Sequence, residues 1–174
     1  TETNKVAFIS GMESVVLNRF QYGYMAGVKA ANPDCEVVVR CANSFNDAAL
    51  GKSIANQMHK DGIDVIFTAA GAVGTGAIEA AKENGKMAIG VDTDQNALAP
   101  DNVITSAVKN VDVSVIDLIG QMIDGNYKGG QVITNTLASG GVGIAKTTDK
   151  NVPADILKYV EEQAELVKSG EIKV

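Results

Sequence analysis

Tryptophan is absent from this sequence, and aromatic residues of every kind make up only 5%. Histidine occurs once and cysteine twice among 174 residues. So few ligands, with no Cys-x-x-Cys pair and no Cys/His cluster, exclude a zinc centre of the usual kinds. No Ser/His/acid set can be assembled except around the single histidine, His59, which the periodicity places on a helix in a packing or surface role. No cofactor or metal follows from these residues. Positive charge is also in deficit: 15 Lys and Arg stand against 21 Asp and Glu, a net charge of −6. A nucleic-acid surface needs clustered Lys and Arg, so a nucleic-acid partner is excluded. No apolar run approaches the ~20 residues of a membrane-spanning helix. The first residues, Thr1-Glu2-Thr3-Asn4, lack the charged-then-apolar order of a signal peptide, which leaves the compartment open.

The two cysteines flank one apolar segment, "CEVVVRC". An extended strand separates residues 35 and 41 by roughly 20 Å, whereas a disulfide needs Cα atoms within about 7 Å. Cys35 and Cys41 are therefore expected as free, structural thiols. Hydrophobic residues make up 45% of the chain, enough for a packed core and too many for disorder.

Strand and helix patterns alternate along the chain. Strands are predicted at 5–10, 35–40, 63–69, 86–91 and 103–108. Helices are predicted at 14–32, at 47–62 with Asn46 as its cap and Gly62 as its stop, and at 76–84 stopped by Gly85. Such alternation implies βαβ units and a parallel sheet. With right-handed crossovers, an α/β doubly wound arrangement of strand order 2-1-3-4-5 is favoured. The chain reads as a single domain over 1–174, with a core in 1–108 and a less regular remainder in 109–174. That remainder holds a helix apolar on more than one side (111–123), a strand at 131–137, a Gly-rich extended piece at 139–145 and a helix beginning at Pro153. Ile156, Leu157, Val160, Ala164 and Val167 form the inner stripe of that last helix.

Ligands of open parallel sheets bind beyond the carboxyl ends of the strands. Four loops qualify: Gly11 to Glu13, Cys41 to Asp47, Ala70 to Gly76 and Asp92 to Asn96. Phe45 is a large ring in the polar loop "NSFND", suited either to stack on a flat ligand or to tuck back as a plug. Asp92 and Asp94 leave the strand "MAIGVD" one residue apart. As acceptor-only groups they suit a hydroxyl-rich ligand such as a ribose, or a cation, or simply the capping of a turn. Lys109 follows the fifth strand, placed to meet a ribose or a carboxylate, or to remain solvated. The segment "AAGAVGTGAIEAA" resembles a phosphate-binding turn with Asp92 beyond it, which keeps a nucleotide-dependent enzyme domain using Gly71 to Gly76 as an alternative. Its glycines, however, follow G-x-x-G-x-G rather than G-x-G-x-x-G, and no Tyr-x-x-x-Lys pair accompanies them.

The segments "KVAFISGMESVVLNRFQYGYMAGVKAANPDCEVVV", "SFND", "AIGVDTDQ" and "GGVGIA", in this order, closely resemble the basic membrane protein family. These are substrate-binding lipoproteins of ABC transporters, most of which bind nucleosides, purine nucleosides among them. The resemblance implies a type I periplasmic-binding-protein fold, with the ligand held between two lobes and no enzymatic step. It implies that Phe45 stacks on the base, that Gly71 approaches the nucleoside with its backbone, that Asp92 accepts from the ribose hydroxyls and that Lys109 lies beside the ribose. It implies an ABC permease as partner and an extracytoplasmic, membrane-anchored setting. The chain corresponds to the second lobe plus the returning C-terminal stretch, with the first lobe of the family absent. Helix 111–123 is then expected to lose its cover and to pair with a second chain, its stripe Val111, Val115, Leu118, Ile119 and Met122 being widened by Val113, Ile116 and Ile123.

Overall fold

The computed structural model describes residues 1–173. Its centre is a six-stranded sheet of order β2-β1-β3-β4-β5-β6. The strands are β1 (Lys5–Ser10), β2 (Glu36–Cys41), β3 (Val65–Ala69), β4 (Met87–Asp92), β5 (Val103–Lys109) and β6 (Val142–Ile144). The first five are parallel, and β6 runs antiparallel along β5, pairing Ala107 with Ile144 and Lys109 with Val142. The predicted order 2-1-3-4-5 is present, extended by β6.

The alternation of side chains in β1 explains how both faces are filled. Ala7 and Ile9 point to one face, where they pack with Ile66, Ala55, Met58, Val73, Ala77 and Ala80. That face is covered by α2 (Ala48–Lys60) and α3 (Ala72–Asn84). Phe8 points to the other face, where it joins Phe67 and Val91 beneath Leu17, Phe20 and Tyr24 of α1 (Val15–Ala31). Phe8 meets Phe67 edge-on at 5.3 Å, and Tyr24 meets Phe67 in the same way at 5.3 Å. Full burial of a ring or branched chain of this kind contributes roughly 1.5–3 kcal/mol, so these few aromatics carry much of that face. Burial pushes the Tyr24 hydroxyl well above its ordinary range, helped by the nearby Cys35 and Asp64.

Several boundaries differ from the sequence expectation. Helix α2 is capped by Asp47, which accepts from the Leu50 N–H, and not by Asn46. Helix α3 begins at Ala72 rather than at residue 76. The glycines read there as a loop are packing positions instead: a Cβ on Gly76 would run into the Ala48 carbonyl, and one on Gly51 into the Val73 carbonyl. These glycines let the backbones of α2 and α3 touch; they do not open a loop. The strand expected at 131–137 does not form, and Val132 is 95% exposed. A strand needs an edge to pair with, and the edge beside β5 is taken by β6 from the Gly-rich piece instead.

Beyond β5 lies α4 (Val111–Ile123), as expected, but it buries none of its residues. Ile116 is 68% exposed and Ile123 79%. The return is tied to the sheet end by Asn110, whose amide donates to the Gly140 carbonyl at 2.8 Å. The short α5 (Thr148–Asn151) locks down firmly: Asn151 donates to the carbonyls of Pro100 and Val103, and Thr148 meets Thr105 at 2.7 Å. Helix α6 (Ala154–Ser169) points Val160, Ala164 and Val167 at an apolar groove of about 470 Å³ beside β5 and β6. Its expected inner stripe is therefore only partly covered, with Ile156 still 49% exposed.

Candidate functional site

The carboxyl ends of β1, β3, β4 and β5 open on one side of the sheet. A cleft of about 280 Å³ lies there, lined among others by Phe45, Gly71, Asp92 and Lys109. All four residues singled out from the sequence thus share one cavity, although they come from separate loops.

Phe45 is held by two glycines. A Cβ on Gly11 would run into its ring, and its carbonyl accepts from the Ala72 N–H at 2.8 Å, beside Gly71. Gly71 itself has φ +58, where a side chain is strained, and a Cβ there would lie 2.8 Å from the Phe45 carbonyl oxygen. The two loops are therefore built to seat this ring. It is 42% exposed, so it is not a buried plug and keeps surface free toward the cleft.

Asp92 ends β4 in a tight turn. The Thr93 N–H donates to the Val91 carbonyl at 2.8 Å, and Asp92 adopts φ +67. This three-residue turn with positive φ is rare and strained for a side chain. Gln95 braces it, since its Oε1 accepts from the Val91 N–H at 2.9 Å while its own N–H donates to Ser106 Oγ. The turn aims the Asp92 carboxylate at Lys109, 2.7 Å away, and the Lys109 ammonium also lies 5.5 Å from the centre of the Phe20 ring. Both charged groups are about half exposed, so the pair stays open to solvent and to ligand.

Asp94 goes elsewhere. Its carboxylate accepts from Thr147 Oγ1 at 2.8 Å and from the Asn96 N–H at 3.1 Å. Desolvation alone would raise its pKa; the hydrogen bonds from Thr147 and Asn96, with Lys150 nearby, outweigh it and hold the carboxyl below its ordinary range. Of the two acids, Asp92 faces the cleft and Asp94 fastens the returning chain. Among the described residues no group of three or more His, Cys, Asp or Glu forms a metal site. His59 is a packing residue: its Nδ1–H donates to the Ile63 carbonyl at 2.9 Å. Cys35 and Cys41 are free thiols.

Sequence reading missed the contribution of α1. Ser14, Val16, Leu17 and Phe20 line the cleft as well. Their signal was positional: α1 starts right after the Gly11–Glu13 loop, so its first turns must border anything bound there. The glycine turn gives the phosphate reading no support, because Gly74 and Gly76 are closed over by Thr68 and by α2.

The description "ABC transporter substrate-binding protein PnrA-like", of the Bmp family, matches residues 1–174. The chain belongs to this family. Its relatives include basic membrane protein A2 of Borrelia garinii subsp. bavariensis, 40% identical over 177 residues, which cover all of this chain and 52% of that protein. The CD4+ T-cell-stimulating antigen of Listeria monocytogenes is 39% identical over 190 residues, covering all of this chain and 53% of that protein. The chain spans about half the length of the curated relatives it matches. Among solved structures, the ABC transporter system solute-binding protein of Aeropyrum pernix K1 superposes with a TM-score of 0.85 at 29% identity, over 97% of this chain and 56% of that one. A transcriptional activator of the comK gene from Bacillus halodurans shares the fold, with a TM-score of 0.85 at 23% identity over 95% of this chain and 56% of that one. Bmp proteins are thus solute-binding proteins on a periplasmic-binding-protein fold, and this chain carries one lobe's worth of such a sheet.

Proposed function

We propose that this Bmp chain supplies one wall of a nucleoside site in a two-lobed receptor that delivers its ligand to an ABC permease. The observation that carries the reading is the meeting of Phe45, Gly71, Asp92 and Lys109 at one cleft beyond the strand ends. Their chemistry is complementary to a nucleoside. A half-exposed ring offers a stacking face, Asp92 accepts from vicinal hydroxyls, and Lys109 donates to the sugar while fixing Asp92. Gly71 leaves room for close backbone approach. The cleft, about 280 Å³, is slightly smaller than the ~300–1,000 Å³ of complete small-molecule sites, as one wall of a two-walled site should be. On this reading residues 1–108 form the lobe core. Residues 109–174 cross toward the other lobe and return, α4's apolar face is what that lobe covers, and a lipid anchor holds the receptor at the membrane.

Titration calorimetry on a two-lobed protein carrying this lobe tests the proposal, using purine and pyrimidine nucleosides and their monophosphates. The expected result is nucleoside binding without need of a phosphate. Asp92→Ala is expected to weaken it by about 1–3 kcal/mol, the range for leaving a buried polar group unpaired. Unchanged affinity in both Asp92→Ala and Phe45→Ala overturns the assignment.

A further inference from the structure

Among the described residues, strand β2 is the open edge of the sheet and pairs only with β1. The N–H groups of Glu36 and Ala42 donate inward to Asn4 and Ser10 of the β1 segment. By the alternation of a parallel ladder, the N–H and C=O groups of Val37 and Val39 therefore face outward. The segment also has a symmetry of its own. Residues 35–41 read Cys-Glu-Val-Val-Val-Arg-Cys, the same outward in both directions from Val38 except that the two charges have opposite sign.

We propose that β2 pairs antiparallel with β2 of a second copy, about a two-fold axis through Val38, joining two sheets into one. The register follows from the backbone. In an antiparallel ladder the residues with both polar groups turned to the neighbour exchange two hydrogen bonds. Val37 and the second copy's Val39 satisfy this, and so do Val39 and the second copy's Val37. Val38 then meets its own copy. Glu36 stands opposite the second copy's Arg40 in a non-hydrogen-bonded pair, where Cα atoms approach to about 4.5 Å and side chains are closest. The interface is self-complementary, as a two-fold contact must be, and it carries two ion pairs.

Glu36, Val38 and Arg40 share the face that looks toward α2 across a groove of about 800 Å³, lined also by Lys5, Gln57 and Asp61. In the single chain the partners of these charges are makeshift. Glu36 reaches Lys5 at 3.5 Å, and Arg40 turns its guanidinium onto the carbonyl of its own neighbour Val39 at 3.3 Å. That carbonyl is the one the second copy's Val37 N–H takes. Charges on an edge strand often serve to repel a neighbour; placed with opposite sign at equivalent distances from one centre, they instead select an antiparallel copy.

Charge reversal with mixing tests the pairing by sedimentation velocity on the full chain. Wild type is expected to associate reversibly to twice the chain mass. Glu36→Lys sets two cations against each other at both ends of the paired strands, and Arg40→Glu sets two anions there. Each variant alone is expected to need at least about tenfold higher concentration to associate. An equal mixture of the two recovers association, because the mixed pair sets the two cations of one chain against the two anions of the other. Val39→Pro, which removes an outward N–H and no bond to β1, is expected to weaken association as well. Association through the apolar helix α4 is indifferent to both charges. A wild type that stays monomeric up to about 100 μM overturns the proposal and marks Glu36 and Arg40 as edge-blocking charges. A mixture that associates no better than its components overturns it too.

Discussion

Two carboxylates one residue apart, Asp92 and Asp94, have divergent fates that only their backbone separates. Asp92 sits at φ +67 and faces the cleft, while Asp94 is consumed by Thr147 and Asn96. A strained residue at the mouth of a cavity is the pattern expected where function rather than stability selects the geometry. Asp92→Gly and Asp92→Ala both remove the carboxylate, but only glycine relieves the positive φ. Asp92→Gly is therefore expected to be more stable than Asp92→Ala by about 1 kcal/mol, as read by urea unfolding, with ligand affinity equally reduced in both. Equal stabilities would remove the argument from strain. His59 supplies a second residue-scale prediction. Burial, with Lys86 nearby, lowers its pKa below the ordinary 6.5, against the opposing pull of the Ile63 carbonyl and Asp64. The unfolded chain then takes up a proton before the folded one does. The stability that this contributes is present above pH 6.5 and is lost as pH falls from there through the folded pKa. The urea midpoint should decline on that limb in wild type and decline less in His59→Gln. Asp64 and Asp94, whose carboxyls are lowered by hydrogen bonds that outweigh desolvation, add their own loss only at more acid pH. An identical slope in His59→Gln would refute the assignment.

At the scale of elements, strands and helices were legible because apolar period and end signals agree in them. Ser14 caps α1 through the Leu17 N–H, and Gly85 ends α3 in the left-handed conformation. The failures have a common cause in contacts distant along the chain. Gly74 and Gly76 read as loop residues but are contact points of α3 with Thr68 and α2, and the strand at 131–137 had β propensity but found the edge of β5 taken. The glycine contact gives a direct test. Gly76→Ala adds a methyl where the Ala48 carbonyl stands, and overpacking of this kind costs about 1–3 kcal/mol. The same change would favour an isolated helix by nearly 1 kcal/mol, so a net destabilisation in chemical unfolding isolates the packing term. A stabilised variant would show that α2 and α3 yield readily. The cleft was partly legible for the same reason as the strands. Strand ends locate the loops, and Phe45, Gly71, Asp92 and Lys109 are unusual loop or edge residues. Phe20 and Leu17 look like ordinary core positions and are found only once α1 is laid over the sheet.

For the molecule as a whole, one lobe covers one side of a ligand, whereas tight sites bury about 70–90% of it. The chain alone is expected to bind nucleosides far more weakly than a two-lobed protein, and submicromolar affinity in calorimetry would refute this. It also leaves α4 bare, with Ile119 half exposed among Val115, Ile116 and Met122. At roughly 25 cal/mol per Å², a patch of several hundred Å² is a strong drive to associate. Light scattering on a chain carrying a β2 charge reversal should show residual self-association that Ile119→Lys reduces; an unchanged mean mass on adding Ile119→Lys would exclude this helix. The sequence by itself determined the alternating strands and helices, the order of the parallel strands, the shortage of metal-ligating and basic side chains, and the loops that border the cleft. These are local, periodic or compositional properties, set by which side chains recur at which spacing. Tertiary structure alone decided that four separate residues share one cleft, that Asp92 rather than Asp94 faces it, that β6 and not residues 131–137 completes the sheet, and that β2 and α4 remain open. Those outcomes depend on which surfaces meet across many residues of chain, and no window of sequence contains both surfaces.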